Sequence, residues 1–536
     1  MKNIKRLLFL AVFVLLTTGC KKYLDINSNP VVPQKVSAEL LLPPIIFQMT
    51  NGTAQDYRVV WKVTQNMAGT SALEGSLNYE EHGYVPLSDV GGVIWRMTYV
   101  DLGLNLENMI NDGLENKKYE YVGIGYAIKA WAYQMCTDMH GPIILDDAFK
   151  SGQLSFRYQD QPEVYAKVRE WAALSVKYLN MDSPISYASV LAGASGDGIY
   201  RGDKAKWKKF VYGLLALQYG HLVNKPEFRS SYADSVTKYV DLSFVNETES
   251  ATVNFTASSA DDSNPLGPQQ GLLNASTTYY GRPTTTILGY LTGGVRGTPT
   301  SDPKSSVDPR LSRFLPTSAA TATLGVYQAV QPTHGSNTTA VPLVYGPLPA
   351  GASQYNGRYI FADAARYPIM TYSQLQFVKS EALWLKGNTS DAYTAYKNGI
   401  SGSMDFFNQY GRASKTPDAQ ISQSEITAYL ASSEVAKSGA DLGIADIMGQ
   451  KYIAQWGWAG LETWCDLRKY HYAANVFRTY YQLTGSEVYD FNGGKYAYRF
   501  RPRYNSEYVW NAAELEKWGG LTNNYQTLET WFSKSN

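Results

Sequence analysis

Carboxylate pairs are the residues of this sequence that could perform acid–base chemistry. The closest pairs along the chain are Glu80 with Glu81, Asp146 with Asp147, and Glu462 with Asp466. A glycoside hydrolase needs two carboxylates held across a sugar cleft, one as the acid and the other as the base or nucleophile. Neighbouring carboxylates on a helix are usually solvated or paired with nearby bases, here Arg468 and Lys469. We therefore expect no enzyme, and a glycoside hydrolase is kept as the enzymatic alternative.

Other reactive residue types lack the spacing that catalysis or cofactor binding requires. Ser195 lies in Gly193-Ala-Ser-Gly-Asp197, which lacks the final glycine of a nucleophile elbow. Gly293, Gly294 and Gly297 are not followed by the Gly-Lys-Ser/Thr of a phosphate loop. The five histidines are scattered and no pair of CxxC units occurs. We expect no cofactor and no metal site.

The N-terminal segment has the order of a signal peptide. Lys2, Lys5 and Arg6 precede an apolar run from Leu7 to Leu16, and small residues then lead into Cys20. The run is shorter than the about 20 residues that span a bilayer as a helix. The segment resembles a bacterial lipobox, in which the cysteine becomes the acylated N-terminus after cleavage. We predict a signal peptide over 1–19, lipidation of Cys20 and a tether over 20–40; an unmodified cysteine beside an ordinary cleavage site is the alternative.

The two other cysteines, Cys136 and Cys465, both lie in apolar helical patterns. Buried free thiols are the first interpretation of such positions. A disulfide between the two is the alternative in an oxidising compartment, because the sequence does not fix their distance.

Charge and aromatic content narrow the class of partner. Lys plus Arg is 48 against 47 for Asp plus Glu, a formal net charge of +1 without long runs of either sign. This balance gives no support for nucleic-acid binding. The chain has 42 tyrosines and 12 tryptophans. Such rings suit both helix packing and sugar recognition.

Helical periodicity dominates both ends of the chain. Ile124, Ala127, Ile128, Trp131 and Met135 form one apolar face of a helix that ends at His140, Gly141 and Pro142. Further helices are predicted after Pro162, from Trp207 to Gly220, after Pro368 and from Ile444 through Trp456 to Arg468. The stretch after Pro368 breaks at Gly387 and Asn388 and resumes near Ser390, a helix, turn and helix unit of tetratricopeptide length. We predict a mostly α fold of tetratricopeptide-like helix pairs.

The middle of the chain, from about 240 to 367, is rich in Ser, Thr, Gly, Pro and Asn and shows little helical periodicity. A stretch of this length is often functional, so we predict binding loops folded onto one domain over 41–536. Tyr279, Tyr280, Tyr290 and Tyr355 favour ordered structure here. A flexible linker between two domains is the alternative.

Several motifs, in this order, resemble the SusD/RagB family of outer-membrane nutrient-binding lipoproteins, and more closely its second SusD-like branch. They cover nearly the whole chain: Tyr23-Leu-Asp-Ile-Asn27 with Asn29-Pro30, Lys129-Ala-Trp-Ala-Tyr-Gln134 through Asp138 to Gly141-Pro142, Asp308-Pro-Arg-Leu311, Tyr367-Pro-Ile-Met-Thr-Tyr372 through Ser380-Glu-Ala382, Gln450-Lys-Tyr452 through Trp464 to Arg468, and Arg503-Tyr504. His140 and Gly141 depart from the Tyr-Gly-Asp that is frequent in this branch.

The resemblance implies a helical frame with irregular loops that form a ligand face. It also implies a cell-surface protein of a Gram-negative outer membrane, held by its lipid. Family members lie as lids on SusC-like, TonB-dependent barrel transporters and bind oligosaccharides, or in some cases peptides. A non-enzymatic nutrient-binding role with an oligosaccharide ligand is therefore the first functional expectation, with a peptide ligand as the alternative.

Four tyrosines in turn-rich surroundings are the candidate ligand contacts. Tyr79 and Tyr84 lie between helical stretches, and Tyr279 and Tyr280 precede Gly281. Loops that return to one edge of a helical frame could join the two pairs into a stacking platform. The alternatives are that these rings only attach the loops to the helices, or that the protein is a plain interaction scaffold. Trp131, Trp384, Trp456 and Trp464 lie on helical faces and are predicted to be core.

Overall fold

The computed structural model of the chain describes residues 35–69, 78–273, 281–300, 308–320, 324–335 and 341–535. Its architecture is mostly α-helical, as predicted. Helices of eight or more residues are numbered in chain order: α1 Ala38–Val63, α2 Gly103–Glu115, α3 Tyr119–His140, α4 Gln161–Leu179, α5 Lys204–His221, α6 Ala233–Leu242, α7 Tyr372–Lys386, α8 Thr389–Tyr410, α9 Gln423–Leu430, α10 Ile444–Gln455 and α11 Gly460–Lys469. Shorter α-helices span Val93–Arg96, Ala188–Ala192, Thr285–Gly289, Arg310–Phe314 and Ala512–Lys517. None of the described helices combines the length and the apolar character that crossing a membrane requires.

Successive helices pack against each other in pairs. Helix α3 packs on α4, α5 on α6, and α7 on α8. This confirms the predicted helix-pair architecture. Contacts of α7 with α10, and of α1 with α2 and α11, join the pairs into one frame.

Local sequence sets the boundaries of these helices. Helix α3 ends at His140 because Gly141 takes a left-handed φ of 81°. Helix α7 likewise ends where Gly387 has a φ of 90°, and the Asn388 side chain then accepts a hydrogen bond from the backbone N–H of Asp391 to begin α8. Both predicted helix ends are confirmed.

Helix α1 begins at Ala38, ahead of the helices that the sequence pattern predicts. Pro43 and Pro44 lie inside it, and each removes a backbone donor. Burial of the apolar face offsets this loss: Leu42 and Ile45 are fully buried.

Three short antiparallel strand pairs accompany the helices: β1 Met67–Ala68 with β5 Arg282–Pro283, β2 Ile143–Ile144 with β3 Tyr158–Gln159, and β4 Ala251–Val253 with β6 Tyr367–Met370. The third pair returns the start and the end of the loop-rich middle to the same place on the frame.

Within the loop-rich middle, Tyr290, Tyr345 and Tyr359 are buried. A continuous cluster of buried apolar side chains runs from Ala38 to Phe532 and includes them. The described parts of the loop-rich middle thus share this cluster with the helices, and a single domain over 41–536 stays a prediction.

Most of the tryptophans predicted to be core are buried. Trp131 is 5% exposed, and Trp456 and Trp464 are fully buried. Trp384 is half-buried and packs against the edge of the same cluster. Cys136 and Cys465 are buried free thiols, as the first interpretation had it.

Charged side chains on α11 tie the surrounding helices together inside the protein. Lys469 lies 2.7 Å from Glu381 of α7 and 2.9 Å from Asp466, and Asp466 lies 2.8 Å from Lys451 of α10. All four side chains are almost completely buried. Burial acts to lower the pKa of Lys469, but the charges of Asp466 and Glu381 raise it above its usual value.

The same helix also reaches α5 and α3. Glu462 accepts from His221 of α5 at 3.0 Å, and Arg468 donates to the backbone carbonyl of Asp138 in α3 at 2.6 Å. Burial acts to lower the pKa of His221, but the negative potential of Cys465, Glu462 and Asp138 raises it well above its usual value. We call Asp138, His221, Glu381, Lys451, Glu462, Asp466, Arg468 and Lys469 the α11 network.

Removing one charge from the α11 network is predicted to destabilise the fold. Lys469→Met leaves Glu381 buried without its cation, which typically costs about 3–5 kcal/mol. Chemical denaturation followed by circular dichroism measures this loss as a lower free energy of unfolding.

Lys167→Met is the matched control, because Lys167 pairs with Glu170 at 2.6 Å on an exposed surface. It should change the free energy of unfolding by about 1 kcal/mol or less. Equal effects of the two substitutions would contradict a structural role of the network.

Candidate ligand-binding face

Two segments that are far apart in sequence meet at one point of the helical frame. Strands β1 and β5 pair with Met67 opposite Pro283 and Ala68 opposite Arg282. Gly69 and Gly281, the next residues on each strand, are therefore neighbours. We call the described loops around this point, residues 78–91, 281–300, 330–335 and 478–491, the loop face.

Glu80 holds three parts of the loop face together. Its carboxylate accepts from the backbone N–H groups of Gly69 at 3.0 Å and Thr333 at 2.8 Å. Lys62 of α1 lies 3.5 Å away, and both charged side chains are 1% exposed. Burial lowers the pKa of Lys62, while the charge of Glu80 opposes that shift. The carboxylate is thus a structural anchor between α1 and the loops.

Gln65 makes a second connection just after α1 ends. Its side-chain amide donates to the carbonyl of Tyr481 at 2.8 Å and accepts from the N–H of Tyr481 at 2.8 Å. The same amide oxygen accepts from the Thr286 hydroxyl at 2.7 Å. One buried amide therefore holds the Thr286 side chain and the Tyr481 backbone.

A groove of about 460 Å³ runs along this part of the loop face. Hydroxyl, amide and guanidinium groups share its lining with an apolar floor: Thr285, Leu288, Gly289, Thr292, Pro299, Thr300, Arg478, Thr479, Tyr480, Tyr481 and Gln482. The volume lies within the usual range of small-molecule sites. Such a lining can hydrogen-bond to hydroxyl groups and pack against apolar surfaces at the same time.

Rings continue the loop face beyond the groove. Tyr84 and Tyr489 meet edge to face with centroids 5.5 Å apart, and Tyr489 meets Phe491 in the same way at 5.6 Å. Phe491 is 53% exposed, and the two tyrosines are half-buried. The guanidinium of Arg501 lies 3.7 Å from the centroid of Tyr84 and covers one of its faces. We call Tyr84, Tyr489 and Phe491 the ring strip.

Glu487 lies between the groove and the ring strip. It accepts from the Tyr481 hydroxyl at 2.7 Å and from Thr333 at 3.3 Å. Desolvation acts to raise the pKa of Glu487, but hydrogen bonds from Thr484, Tyr481 and Thr333 lower it to about 2. At neutral pH this carboxylate is charged and positions the Tyr481 ring at the edge of the groove.

The predicted contact residues differ in their placement. Tyr79 is 4% exposed, packs edge to face on Phe500 and donates to the carbonyl of Val90 at 2.8 Å. It lines a cavity of about 20 Å³ with Tyr84, which is too small for a sugar ring. Tyr79 therefore supports the loop, and Tyr84 is the more accessible of the two.

Tyr279, Tyr280 and Cys20 lie outside the described residues, so their roles stay predictions.

Four further residues complete the loop face and were not predicted from the sequence: Tyr481, Glu487, Tyr489 and Phe491. They fall in a segment without helical periodicity that follows α11. Its aromatic and glycine content was a usable signal, the same one that selected Tyr279 and Tyr280.

Among the described residues, one group could hold a metal ion, since its donor atoms lie within 4.8 Å of one another: Asp138, His221 and Cys465. Protein groups already occupy these atoms. Tyr165 and Gln161 donate to Asp138, and Arg468 donates to the Cys465 sulfur at 3.1 Å. A guanidinium at this distance opposes a second cation. We therefore treat the three residues as part of the α11 network and its surroundings.

Most carboxylates of the pairs considered for acid–base chemistry form ion pairs with bases, as the sequence analysis expected. The ion pairs are Glu80 with Lys62, Asp146 with Arg157, Asp147 with Lys150, Glu462 with His221, and Asp466 with Lys451 and Lys469. Asp466 lies inside the protein, and Glu462 is partly buried with 18% of its side chain exposed. Their arrangement suits structural pairing.

The chain belongs to a SusD-like family. The family model described as "Starch-binding associating with outer membrane" matches residues 30–476, which is most of the chain. The motifs at Asp138, Asp308–Leu311 and Asp466 all fall within this match. No curated protein matches the sequence significantly.

Solved structures of the same family share the fold. A SusD/RagB family protein from Bacteroides thetaiotaomicron has a TM-score of 0.70 at 20% identity, over 94% of this chain and 100% of that one. A SusD homolog from Bacteroides fragilis has a TM-score of 0.68 at 16% identity, over 93% and 100%. A chitin-binding SusD homolog from Flavobacterium johnsoniae has a TM-score of 0.65 at 16% identity, over 92% and 99%. At these identities the likeness concerns the fold.

His82 anchors the described loop that carries Tyr84. Its Nδ1 accepts from the backbone N–H of Ala497 at 3.1 Å, so Nε2 carries the proton and donates to the Tyr480 hydroxyl at 3.0 Å. The ring stacks on Tyr496 with centroids 4.6 Å apart. Burial lowers the pKa of His82 to about 3. The folded protein therefore keeps this histidine neutral.

Acid is predicted to destabilise the fold through His82. Because its pKa is lower in the folded than in the unfolded chain, the unfolded chain binds the extra proton as the pH falls from about 6.5 towards about 4. The free energy of unfolding should fall over this window. His82→Gln keeps an acceptor and a donor but not the titration, so the slope should decrease by up to ~1.4 kcal/mol per pH unit. Urea denaturation at a series of pH values measures both slopes.

His334→Gln is the control, because the His334 side chain is 51% exposed. It should leave the slope close to that of the wild type. A slope unchanged by His82→Gln would refute the assignment of a neutral, buried His82.

Proposed function

We propose that the protein is a lipid-anchored, cell-surface outer-membrane lipoprotein that captures oligosaccharides and delivers them to a SusC-like, TonB-dependent transporter. The observation that carries this proposal is the loop face, on which a groove and a strip of rings adjoin one another. Membership in a family described as starch-binding and associated with the outer membrane supports it. In this role the chain binds its ligand and performs no chemistry on it.

The loop face has the two features that sugar recognition needs. Sugar C–H faces pack against aromatic rings, each such contact contributing about 1 kcal/mol. Hydroxyl groups of the sugar pair with side chains such as Thr300, Gln482 and Tyr481 at the groove. Tyr84 extends the same surface, and Tyr279 and Tyr280, outside the described residues, stay predicted contacts.

Peptides are the second ligand class, because exposed rings and hydrogen-bonding groups also suit an extended peptide. A glycoside hydrolase lipoprotein is a third candidate function. Binding and product analysis of the same glycan and peptide panel separates the three, since a hydrolase releases shortened products.

Two ring truncations are predicted to weaken oligosaccharide binding. Tyr481→Ala and Tyr84→Ala should each reduce the affinity about fivefold, the equivalent of about 1 kcal/mol. Tyr280→Ala should act in the same direction. Calorimetry with neutral oligosaccharides, such as starch and chitin fragments, measures these changes.

Tyr393→Ala is the matched control, because Tyr393 is a half-buried ring on α8, outside the loop face. It should leave the affinity unchanged. If Tyr481→Ala and Tyr84→Ala keep full affinity while their unfolding midpoints match the wild type, the loop face is not the binding site.

Copurification is predicted to recover the transporter. A tethered binding protein needs a channel to move its ligand inward, so the wild-type chain should copurify with a TonB-dependent barrel in mild detergent. Cys20→Ala should release the chain into the soluble fraction, because acylation supplies the anchor. Repeated recovery of the membrane-bound chain alone, with the barrel present and expressed, would contradict the partnership.

A further inference from the structure

A second, larger cleft lies at the other end of α1. Its volume is about 870 Å³. Gly198 on its wall lies against Ile46 near the start of α1, whereas Gln65, which bonds to Tyr481 of the loop face, follows the end of that helix. At 1.5 Å per residue, α1 separates the two sites by about 25 Å. The cleft is therefore distinct from the groove of the loop face.

Three cations face this cleft without acidic partners among the described residues. Arg366 donates to the hydroxyl of Thr252 at 2.6 Å, to its carbonyl at 3.0 Å and to Asn254 at 3.3 Å, all of them neutral oxygens. Arg201 and Lys206, also in the lining, form no ion pair in the described part of the chain. Burial, and then the charge of Arg201, act to lower the pKa of Arg366. Three cations thus face two carboxylates, Asp197 and Asp262, in the lining of the cleft.

The two carboxylates in the lining are already bound by neutral donors. Asp197 accepts from the backbone N–H groups of 199, 200 and 202 and from the indole of Trp207 at 2.7 Å. Asp262 accepts from the hydroxyl groups of Thr256 and Ser258. Neither carboxylate pairs with Arg201, Lys206 or Arg366.

The remaining wall is rich in groups that bind hydroxyls. Short polar side chains line it: Thr248, Ser250, Thr252, Asn254, Thr256, Ser258 and Gln409. The half-buried ring of Tyr410 adds an aromatic surface, and the Arg366 guanidinium lies 5.7 Å from its centroid. This combination suits a ligand with many hydroxyls and at least one negative charge.

We propose that this cleft is a second binding site, which takes a short acidic oligosaccharide. Its carboxylate or sulfate contacts Arg201, Lys206 and Arg366, and its hydroxyls contact the Thr, Ser and Asn side chains. The volume accommodates two or three sugar residues by the usual size of ligand sites. The site extends the ligand range of the protein beyond the neutral sugars proposed for the loop face.

Calorimetry on the full chain in mild detergent tests the second site. The probes are a galacturonic acid trimer, a sulfated disaccharide and a neutral galactose trimer. At least one acidic probe should bind, and it should bind more weakly as salt increases. Arg201→Ala and Lys206→Ala should each reduce that affinity about tenfold, since each removes one charge-assisted contact. Neither side chain forms a hydrogen bond or ion pair with the described residues, so both variants should fold.

Arg229→Ala is the matched control. Arg229 is an exposed arginine beyond the far end of α5, whose first turn carries Lys206. It should leave acidic binding unchanged, and so should the loop-face variant Tyr481→Ala. Failure of both acidic probes to bind would overturn the proposal. So would acidic binding that survives the Arg201→Ala, Lys206→Ala double variant or that Tyr481→Ala abolishes.

Discussion

The buried ionic network of α11 is the constraint on which the rest of the fold depends. One short helix presents Glu462, Asp466, Arg468 and Lys469 to four neighbouring helices, and all of them except the partly exposed Glu462 are almost completely buried. A buried charge without its partner costs several kcal/mol, so the helices α3, α5, α7 and α10 are held in one relative arrangement. Alternative packings that shift α11 by one turn would leave these charges unpaired.

At the end of α1, buried polar side chains likewise fix the positions of the loops in the loop face. Glu80 and Gln65 form bonds with loops that are far apart in sequence, and both side chains are almost completely buried. The helical frame therefore fixes the bases of the loops, while rings such as Phe491 at their outer parts stay exposed. A rigid frame with adaptable loops is a common basis for ligand binding.

Much of the frame could be predicted from the sequence, because helical faces repeat over short distances. The face through Ile128 and Trp131, and the turn at Gly387, were predicted correctly for this reason. The start of α1 was not predicted, because Pro43 and Pro44 are unfavourable inside a helix and only tertiary packing stabilises the helix there. The spacing of Glu462 and Asp466 predicted that both lie on one face of a helix. It did not predict how deeply they are buried, because burial depends on the helices around α11.

The candidate site was less predictable, because it is assembled by contacts between distant segments. Tyr79 and Tyr84 look alike in sequence, yet Phe500 buries the first and Arg501 covers only one face of the second. Glu487 and Tyr489 also bond to Thr333 and Glu81, which lie 154 or more residues away in the sequence.

Hydrogen exchange on the full chain, with and without a neutral oligosaccharide that it binds, tests the central claim most directly. The account predicts slower exchange in 78–91, 281–300, 330–335 and 478–491, and little change in the helical frame. Protection confined to the frame, or to the cleft around Arg366, with no change in the loop face, would contradict it.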